Sequence, residues 1–190
     1  MERFGATARG VDWNSAESQR LRFDQVLRID AAPTGRSVND YGCGYGALLD
    51  YLVECGRSWR YAGFDVSESM VARARAGHAD CAAATFTTSA ADMAPADYTV
   101  ASGIFNVRLD HSQPAWEEYV LEVLADMDRL SLSGFAFNML STYSDQERQR
   151  SGLFYGDPAF YFDYCKRRFS PRIALLHDYP LYEFTIIVRK

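Results

Sequence analysis

Short strand-like runs alternate with helix-like segments from residue 36 onward, and this alternation restricts the possible folds more than any other feature of the chain. Helical spacing of apolar residues between β-rich runs is typical of a parallel sheet covered by helices. Five β-rich runs come first, at residues 37–41, 61–65, 84–87, 98–102 and 135–140.

The end of the chain departs from this alternation. Runs 173–176 and 183–189 are joined by a turn that is too short for a crossover helix, so they should pair antiparallel. We therefore predict an α/β, doubly wound fold. Its mostly parallel seven-stranded sheet ends in a C-terminal antiparallel hairpin and carries helices on both faces.

Four segments are predicted to be helical. The clearest begins near Ser112, has Pro114 in its first turn and presents one apolar stripe as far as Leu130. The others cover residues 15–29, 47–55 and 68–76. The first of these three precedes the alternating unit and is not part of it.

The composition is that of one ordinary globular domain of 190 residues, with 48% hydrophobic and 24% charged residues. A net charge of −5 provides no positive field for a polyanion, so we expect no nucleic-acid partner. There is no membrane-spanning stretch or Cys-x-x-Cys pair. We expect a cytoplasmic protein with reduced thiols, no membrane partner and no metal.

Residues 38–46 carry the strongest motif, Val-Asn-Asp-Tyr-Gly-Cys-Gly-Tyr-Gly, which joins a predicted strand to a predicted helix. Glycines at these positions allow a sharp turn and a close approach of a ligand to the backbone amides. Asp65 ends the next strand, 21 residues after Gly44, where a carboxylate can accept hydrogen bonds from both ribose hydroxyls. Together these elements indicate a nucleotide-like ligand.

This arrangement resembles the class I S-adenosylmethionine-dependent methyltransferases over residues 36–190. The resemblance implies S-adenosylmethionine as cofactor and S-adenosylhomocysteine as product. It implies that Asp40 lies near the methionyl end, that Asp65 binds the ribose and that Asp92 contacts the adenine. The glycines expected to line the cofactor are Gly42, Gly44 and Gly46. Further residues assigned to this site are Arg22, Cys43, Val66, Ser67, Met70 and Ser102.

Two alternatives remain open at this point. An NAD(P)-dependent oxidoreductase has the fingerprint Gly-x-Gly-x-x-Gly, whereas this chain has Gly-x-Gly-x-Gly with an acid two residues before the first glycine. A non-catalytic S-adenosylmethionine-binding protein is the second alternative, because the chain has no recognisable acceptor motif and a fold does not establish a function.

The segment 101–108 faces the methyl donor in the family that the chain resembles. It lacks both the Pro-Pro-aromatic and the Pro-Cys sequences of enzymes that methylate nucleic-acid bases. We expect Phe105, Asn106 and Arg108 to contact a small acceptor, although a packed Phe and a solvated Arg fit the sequence equally well. His111 is the candidate general base, with a surface position as the alternative. Tyr143 and Tyr155 are further candidate substrate contacts.

The predicted organisation is one methyltransferase domain over 1–190. Residues 1–35 form a helical lid that presents Trp13, Gln19 and Arg22, with Gln19 or Arg22 near the cofactor carboxylate. Residues 36–140 form the cofactor-binding core, 141–170 an aromatic-rich excursion that walls the substrate, and 171–190 the hairpin. The predicted activity is methyl transfer to O or N of a small-molecule acceptor by a monomer or homodimer.

Overall fold

A seven-stranded sheet forms the centre of the structure, a computed structural model that describes residues 15–190. The strands are β1 (Thr34–Tyr41), β2 (Ser58–Phe64), β3 (Ala84–Thr87), β4 (Ala96–Ala101), β5 (Ser131–Leu140), β6 (Arg172–Leu176) and β7 (Glu183–Arg189). The helices are α1 (Ala16–Val26), α2 (Ala47–Glu54), α3 (Glu68–Gly77), α4 (Gln113–Arg129) and α5 (Pro158–Arg168).

The strand order is β3-β2-β1-β4-β5-β7-β6. The first five strands run parallel, and β7 pairs antiparallel with both β5 and β6. Helices cover both faces, so the predicted fold class is confirmed. The order reverses between β1 and β4, and ligands of open α/β sheets bind at the carboxyl ends of strands at such a point.

Two apolar clusters lie on opposite faces of the sheet because successive side chains of a strand point to opposite sides. On β5, Phe135, Phe137 and Met139 pack against α4 and α5, whereas Ala136 belongs to the cluster beneath α1 and α2. All four side chains are fully buried. This division of side chains gives the sheet a helical layer on each face.

Helix α1 is anchored at both its start and its centre. Ser15 caps it by accepting a hydrogen bond from the amide of Ser18 at 3.0 Å. Phe23 and Val26 are buried with α2 against the sheet, and the helix ends in a 3₁₀ turn, Leu27–Ile29. The predicted helix at 15–29 therefore consists of two pieces. Trp13 lies outside the described residues.

Within residues 15–190, no helix combines the length and the apolar character needed to cross a membrane.

Candidate active site

The chain turns sharply after β1 because Gly42, Gly44 and Gly46 adopt backbone angles that other residues avoid. The amides of Gly42 and Cys43 both donate to the Phe64 carbonyl, at 2.7 and 2.8 Å. Gly42 has a φ of +88°, and a Cβ there would lie 2.1 Å from Cγ2 of Ile104. Glycine is thus required for the turn and for the close contact with the segment after β4.

Asp65 joins the end of β2 to this turn. One carboxylate oxygen accepts from the Gly44 amide at 2.9 Å, and the other accepts from the Ser67 amide at 2.9 Å. Each oxygen keeps a further lone pair, so the carboxylate can still accept from two hydroxyls. Gly44 has a φ of +54°, and a Cβ built there would meet no protein atom within 4 Å.

Asp40 lies beneath the turn, 3% exposed, and accepts a hydrogen bond from the Tyr61 hydroxyl at 2.6 Å. Burial raises the pKa of Asp40 to about 7, the charge of Asp65 adds to this, and the Tyr61 hydrogen bond opposes it. Burial also raises the pKa of the Cys43 thiol well above its usual range. Cys43 is therefore a neutral, inert side chain at neutral pH.

These residues surround a space of about 360 Å³ at the carboxyl ends of β1, β2 and β4. We call this space the cofactor cavity, after the ligand that the sequence analysis predicts for its residues. Its lining contains Asp40, Gly42, Cys43, Gly44, Asp65, Ser67, Met70 and Ser102, all of which the sequence analysis assigns to the cofactor. Helix α1 contributes Gln19 and Phe23, and the segment after β4 contributes Gly103, Ile104 and Val107.

Four residues assigned to the cofactor do not line this cavity. Val66 is 82% exposed, and Asp92 is an exposed side chain held by the Thr87 hydroxyl at 3.4 Å. Gly46 lies behind the turn, where a Cβ would be 2.7 Å from the His78 ring. Its role is to start α2 at a φ of +91°.

Arg22 is the fourth exception, because it points to Glu183 instead of the cofactor cavity. The two side chains are 8% and 1% exposed, and three nitrogen–oxygen contacts of 2.6–2.9 Å join them. The buried ion pair connects α1 to the first residue of β7. Of the two residues proposed for the cofactor carboxylate, the structure places Gln19 at the cofactor cavity and Arg22 at a second one.

This second space has a volume of about 680 Å³ and lies beside the first. We call it the acceptor cavity because two of the predicted substrate residues, Asn106 and Tyr155, line it. Val107 lines both cavities. Half of the lining residues of the acceptor cavity come from the predicted excursion: Ser144, residues 147–151, Leu153 and Tyr155. The rest consists of the loop before β7, the Arg22–Glu183 pair, Asn106, Val107 and Leu140.

The predicted substrate residues separate into two groups. Asn106 and Tyr155 line the acceptor cavity. Phe105 is completely buried in the apolar core, and Tyr143 is 72% exposed beside His177. Neither ring lines the acceptor cavity, because Phe105 packs in the core and Tyr143 extends into solvent. These positions do not support the predicted substrate contacts.

Arg108 and His111 also lie outside both cavities. The Arg108 guanidinium donates to the carbonyls of Leu153 and His111, at 3.3 and 2.5 Å, so it fastens one loop to another. The His111 ring is exposed and contacts Trp116. The structure thus gives Arg108 a structural role and does not bring the candidate base to the site.

Sequence reasoning missed one residue that positions the donor-facing segment. Asn138, fully buried on β5, accepts from the Gly103 amide at 2.8 Å, and its own amide group lies 3.4 Å from the Ser102 hydroxyl. A polar residue in an apolar strand was the available signal, since buried amides need partners.

Residues 15–190 contain no cluster of three or more metal-ligating side chains.

The site combines three features: the strand order, the glycine turn and the acid after β2. Together they define an S-adenosylmethionine-dependent methyltransferase of class I. Comparison with known proteins agrees with this assignment. A family model described as a methyltransferase domain matches residues 38–130, which include the turn and Asp65. A relative with 49% identity covers 86% of the chain. The chain belongs to this family, whose cofactor is S-adenosylmethionine, and the oxidoreductase alternative is set aside.

That relative is a protein of Mycobacterium tuberculosis strain H37Rv named as a methyltransferase, Rv1506c, and the match covers 99% of its length. Magnesium protoporphyrin IX methyltransferase from Synechocystis PCC 6803, solved with bound S-adenosylmethionine, has a TM-score of 0.65 at 17% identity, over 92% of this chain and 80% of that one. The N-methyltransferase NodS from Bradyrhizobium japonicum gives 0.63 at 15% identity, over 92% and 97%. The two structures share the fold with this chain.

Proposed function

We propose that this methyltransferase acts on an O or N atom of a small molecule that binds in the acceptor cavity. The observation that carries the proposal is the contact between the two cavities at Val107, on the segment that faces the donor in this family. A cavity of about 680 Å³ has the size of a typical small-molecule site. Structural neighbours include proteins named for N-methyl and for O-methyl transfer.

The cofactor cavity fits S-adenosylmethionine in its chemistry. Asp65 retains acceptor capacity for two ribose hydroxyls, and the glycine turn leaves open space at Gly44. Asp40 supplies an acid for the methionyl end, and Gln19 supplies a side-chain amide that forms no hydrogen bond within residues 15–190. When bound, the cofactor supplies a methyl group on a sulfonium that is already activated.

The chain's own residues then have to position two reactants. Alignment of reacting groups can contribute about 7–11 kcal/mol in favourable cases. Asn138 fixes the segment Ser102–Gly103, and Asn106 fixes its continuation by accepting from the Leu140 amide at 3.0 Å. We propose that α1, the described helix of the predicted lid, closes the cofactor cavity, supported by Gln19 and Phe23 in the cavity lining.

The first test is calorimetric titration with S-adenosylmethionine and, separately, with NADH. Asp65→Ala should weaken binding of the methyl donor at least tenfold, which corresponds to about 1.4 kcal/mol or more. Gln19→Ala should weaken it about threefold to tenfold if α1 contributes to the lid, because one hydrogen bond is worth about 1 kcal/mol. Asp80→Ala and Glu17→Ala alter exposed residues outside both cavities and serve as controls.

Turnover separates an enzyme from a non-catalytic binding protein. The wild-type protein, incubated with S-adenosylmethionine and a mixture of small metabolites, should accumulate S-adenosylhomocysteine, and Asp65→Ala should not. Tight donor binding without product in any mixture would favour a binding protein. NADH binding without donor binding would overturn the proposed function altogether.

A further inference from the structure

Arg150 lines the acceptor cavity, and its guanidinium has no hydrogen-bond or ion-pair partner among residues 15–190. We infer that the acceptor carries an anionic group, a carboxylate or a phosphate, and that Arg150 binds it. This inference rests on the proposed function, because it concerns the substrate class of the same site. The sequence analysis expected Arg108 to contact the acceptor. Because Arg108 lies outside the cavity, we assign the contact with the anionic group to Arg150 instead.

The other two arginines of the cavity are already engaged. Arg22 is held by Glu183 in the buried ion pair. Arg148 lies over the Tyr182 ring at 5.6 Å and faces Asp145 at 3.8 Å. Within residues 15–190, the Arg150 guanidinium makes no hydrogen bond or ion pair. A guanidinium is the side chain best suited to hold a carboxylate or phosphate with two parallel hydrogen bonds.

The backbone around Arg150 holds this arginine and a phenol close together. Its amide donates to the Tyr155 hydroxyl oxygen at 3.0 Å, so the phenol keeps its own hydrogen for a ligand. Its carbonyl accepts from the Leu153 amide at 3.3 Å, and the Gly152 carbonyl accepts from the amides of Arg108 and Leu109. These bonds fix the loop, so that a guanidinium and a phenol are available for the same anion.

The charges of the cavity support an anionic ligand. Its lining contains three arginines and two glutamates, an excess of one positive charge, whereas the whole chain has a net charge of −5. Arg22 neutralises Glu183, and Arg148 faces Asp145, which leaves Arg150 as the arginine of this lining without an acidic partner within residues 15–190. The anion is therefore expected to bind at this one guanidinium, through charge-assisted hydrogen bonds, and not through a positive field of the whole wall.

The test uses protein saturated with S-adenosylhomocysteine and three probes of similar shape. 4-Hydroxybenzoate and phenyl phosphate carry the two candidate anions, and 4-hydroxybenzamide is the uncharged counterpart. We expect the anions to bind more tightly than the amide by calorimetry. Arg150→Gln should weaken the better anion about tenfold or more, in line with the loss of a charge-assisted hydrogen bond. It should leave the affinity for the amide unchanged.

Arg60→Gln is the matched control, because Arg60 is exposed, lines neither cavity and has a guanidinium without a hydrogen-bond or ion-pair partner within residues 15–190. It should bind all three probes as the wild-type protein does. Anions that bind no better than the amide, or an Arg150→Gln variant with unchanged anion affinity, would overturn the inference. Titration of S-adenosylhomocysteine into each variant comes first. Its failure in the wild-type protein would count against the proposed function instead.

Discussion

At the scale of single residues, Asp40 shows a conflict between stability and function. Its carboxyl group is buried at the cofactor cavity with one hydroxyl partner, Tyr61, and with a second acid, Asp65, nearby. Burial of an acid disfavours its charged form, which is why its pKa rises to about 7. Strained or destabilising groups of this kind are typical of functional sites.

The pH dependence of unfolding tests this interpretation of Asp40. An unfolded Asp releases its proton near pH 4, whereas the folded state keeps it up to about pH 7. The folded state binds more protons between these values, so Asp40 lowers the free energy of unfolding as the pH rises from 4 to 7. Its contribution is constant above that range.

Asp40→Asn removes this titration and keeps an oxygen that can accept from Tyr61. Chemical denaturation should show equal stability of variant and wild type near pH 4. At pH 8 the variant should be more stable, by a difference on the order of 3 kcal/mol. Asp80→Asn, at an exposed acid, should leave the pH profile of the wild type unchanged. A variant whose advantage over the wild type is the same at both pH values would contradict the buried, raised pKa.

The residues of the cofactor cavity were predictable to the extent that they are close in sequence to a strand end. Asp40 and Asp65 lie at the ends of two predicted strands, and Gly42 and Gly44 follow the first of them. The carboxyl ends of parallel strands meet at one edge of the sheet. The direction of Phe105 was not predictable, because packing against α4 and β5 decides whether a ring faces a cavity or the core. Arg150 was missed because no local pattern marks residues of a long loop as neighbours of β7.

At the scale of elements, β5 is longer than predicted. It begins at Ser131, four residues before the start of the predicted strand at residues 135–140. The early residues include Gly134, a poor strand former, which hid the start of the strand. Gly134 has a φ of +151°, and a Cβ there would lie 2.2 Å from the Val188 carbonyl oxygen. Its lack of a side chain lets β7 pair closely with β5.

Gly134→Ala should therefore separate the two strands where Gly134 faces Arg189. We expect the free energy of unfolding to fall by at least about 2 kcal/mol, because the clash is with backbone that cannot rotate away. Gly77→Ala is the control, since its Cβ would meet nothing within 4 Å and the residue ends a helix. Urea denaturation should find the control as stable as the wild type or slightly more stable. Equal stability of the two variants would be evidence against the close pairing.

At the scale of the whole molecule, α1 connects the two ends of the described chain and the two cavities. Gln19 and Phe23 line the cofactor cavity, whereas Arg22 lines the acceptor cavity and pairs with Glu183, 161 residues later. The sequence predicted the helix but not this partner, because an ion pair over such a separation depends on the complete sheet order. One helix thereby contributes walls to both sites.

The energetics of this ion pair can be separated with a double-mutant cycle. Arg22→Met leaves the Glu183 carboxylate buried without its partner charge, which should cost about 3–5 kcal/mol of unfolding free energy. Glu183→Met should cost a similar amount for the same reason. The double variant should lose less than either single variant, since two apolar side chains of similar length remove both charges from the interior.

An exposed ion pair provides the reference against which the coupling energy of the buried Arg22–Glu183 pair is judged. Arg167 and Asp163 on α5 are 2.7 Å apart, but their side chains are 81% and 57% exposed. Water screens such a pair, so the corresponding cycle with methionine should give a much smaller coupling energy than the buried pair. A coupling at Arg22–Glu183 that is no larger than this would mean that the two side chains are held in place by their surroundings. The buried charges would then not be what fastens α1 to β7.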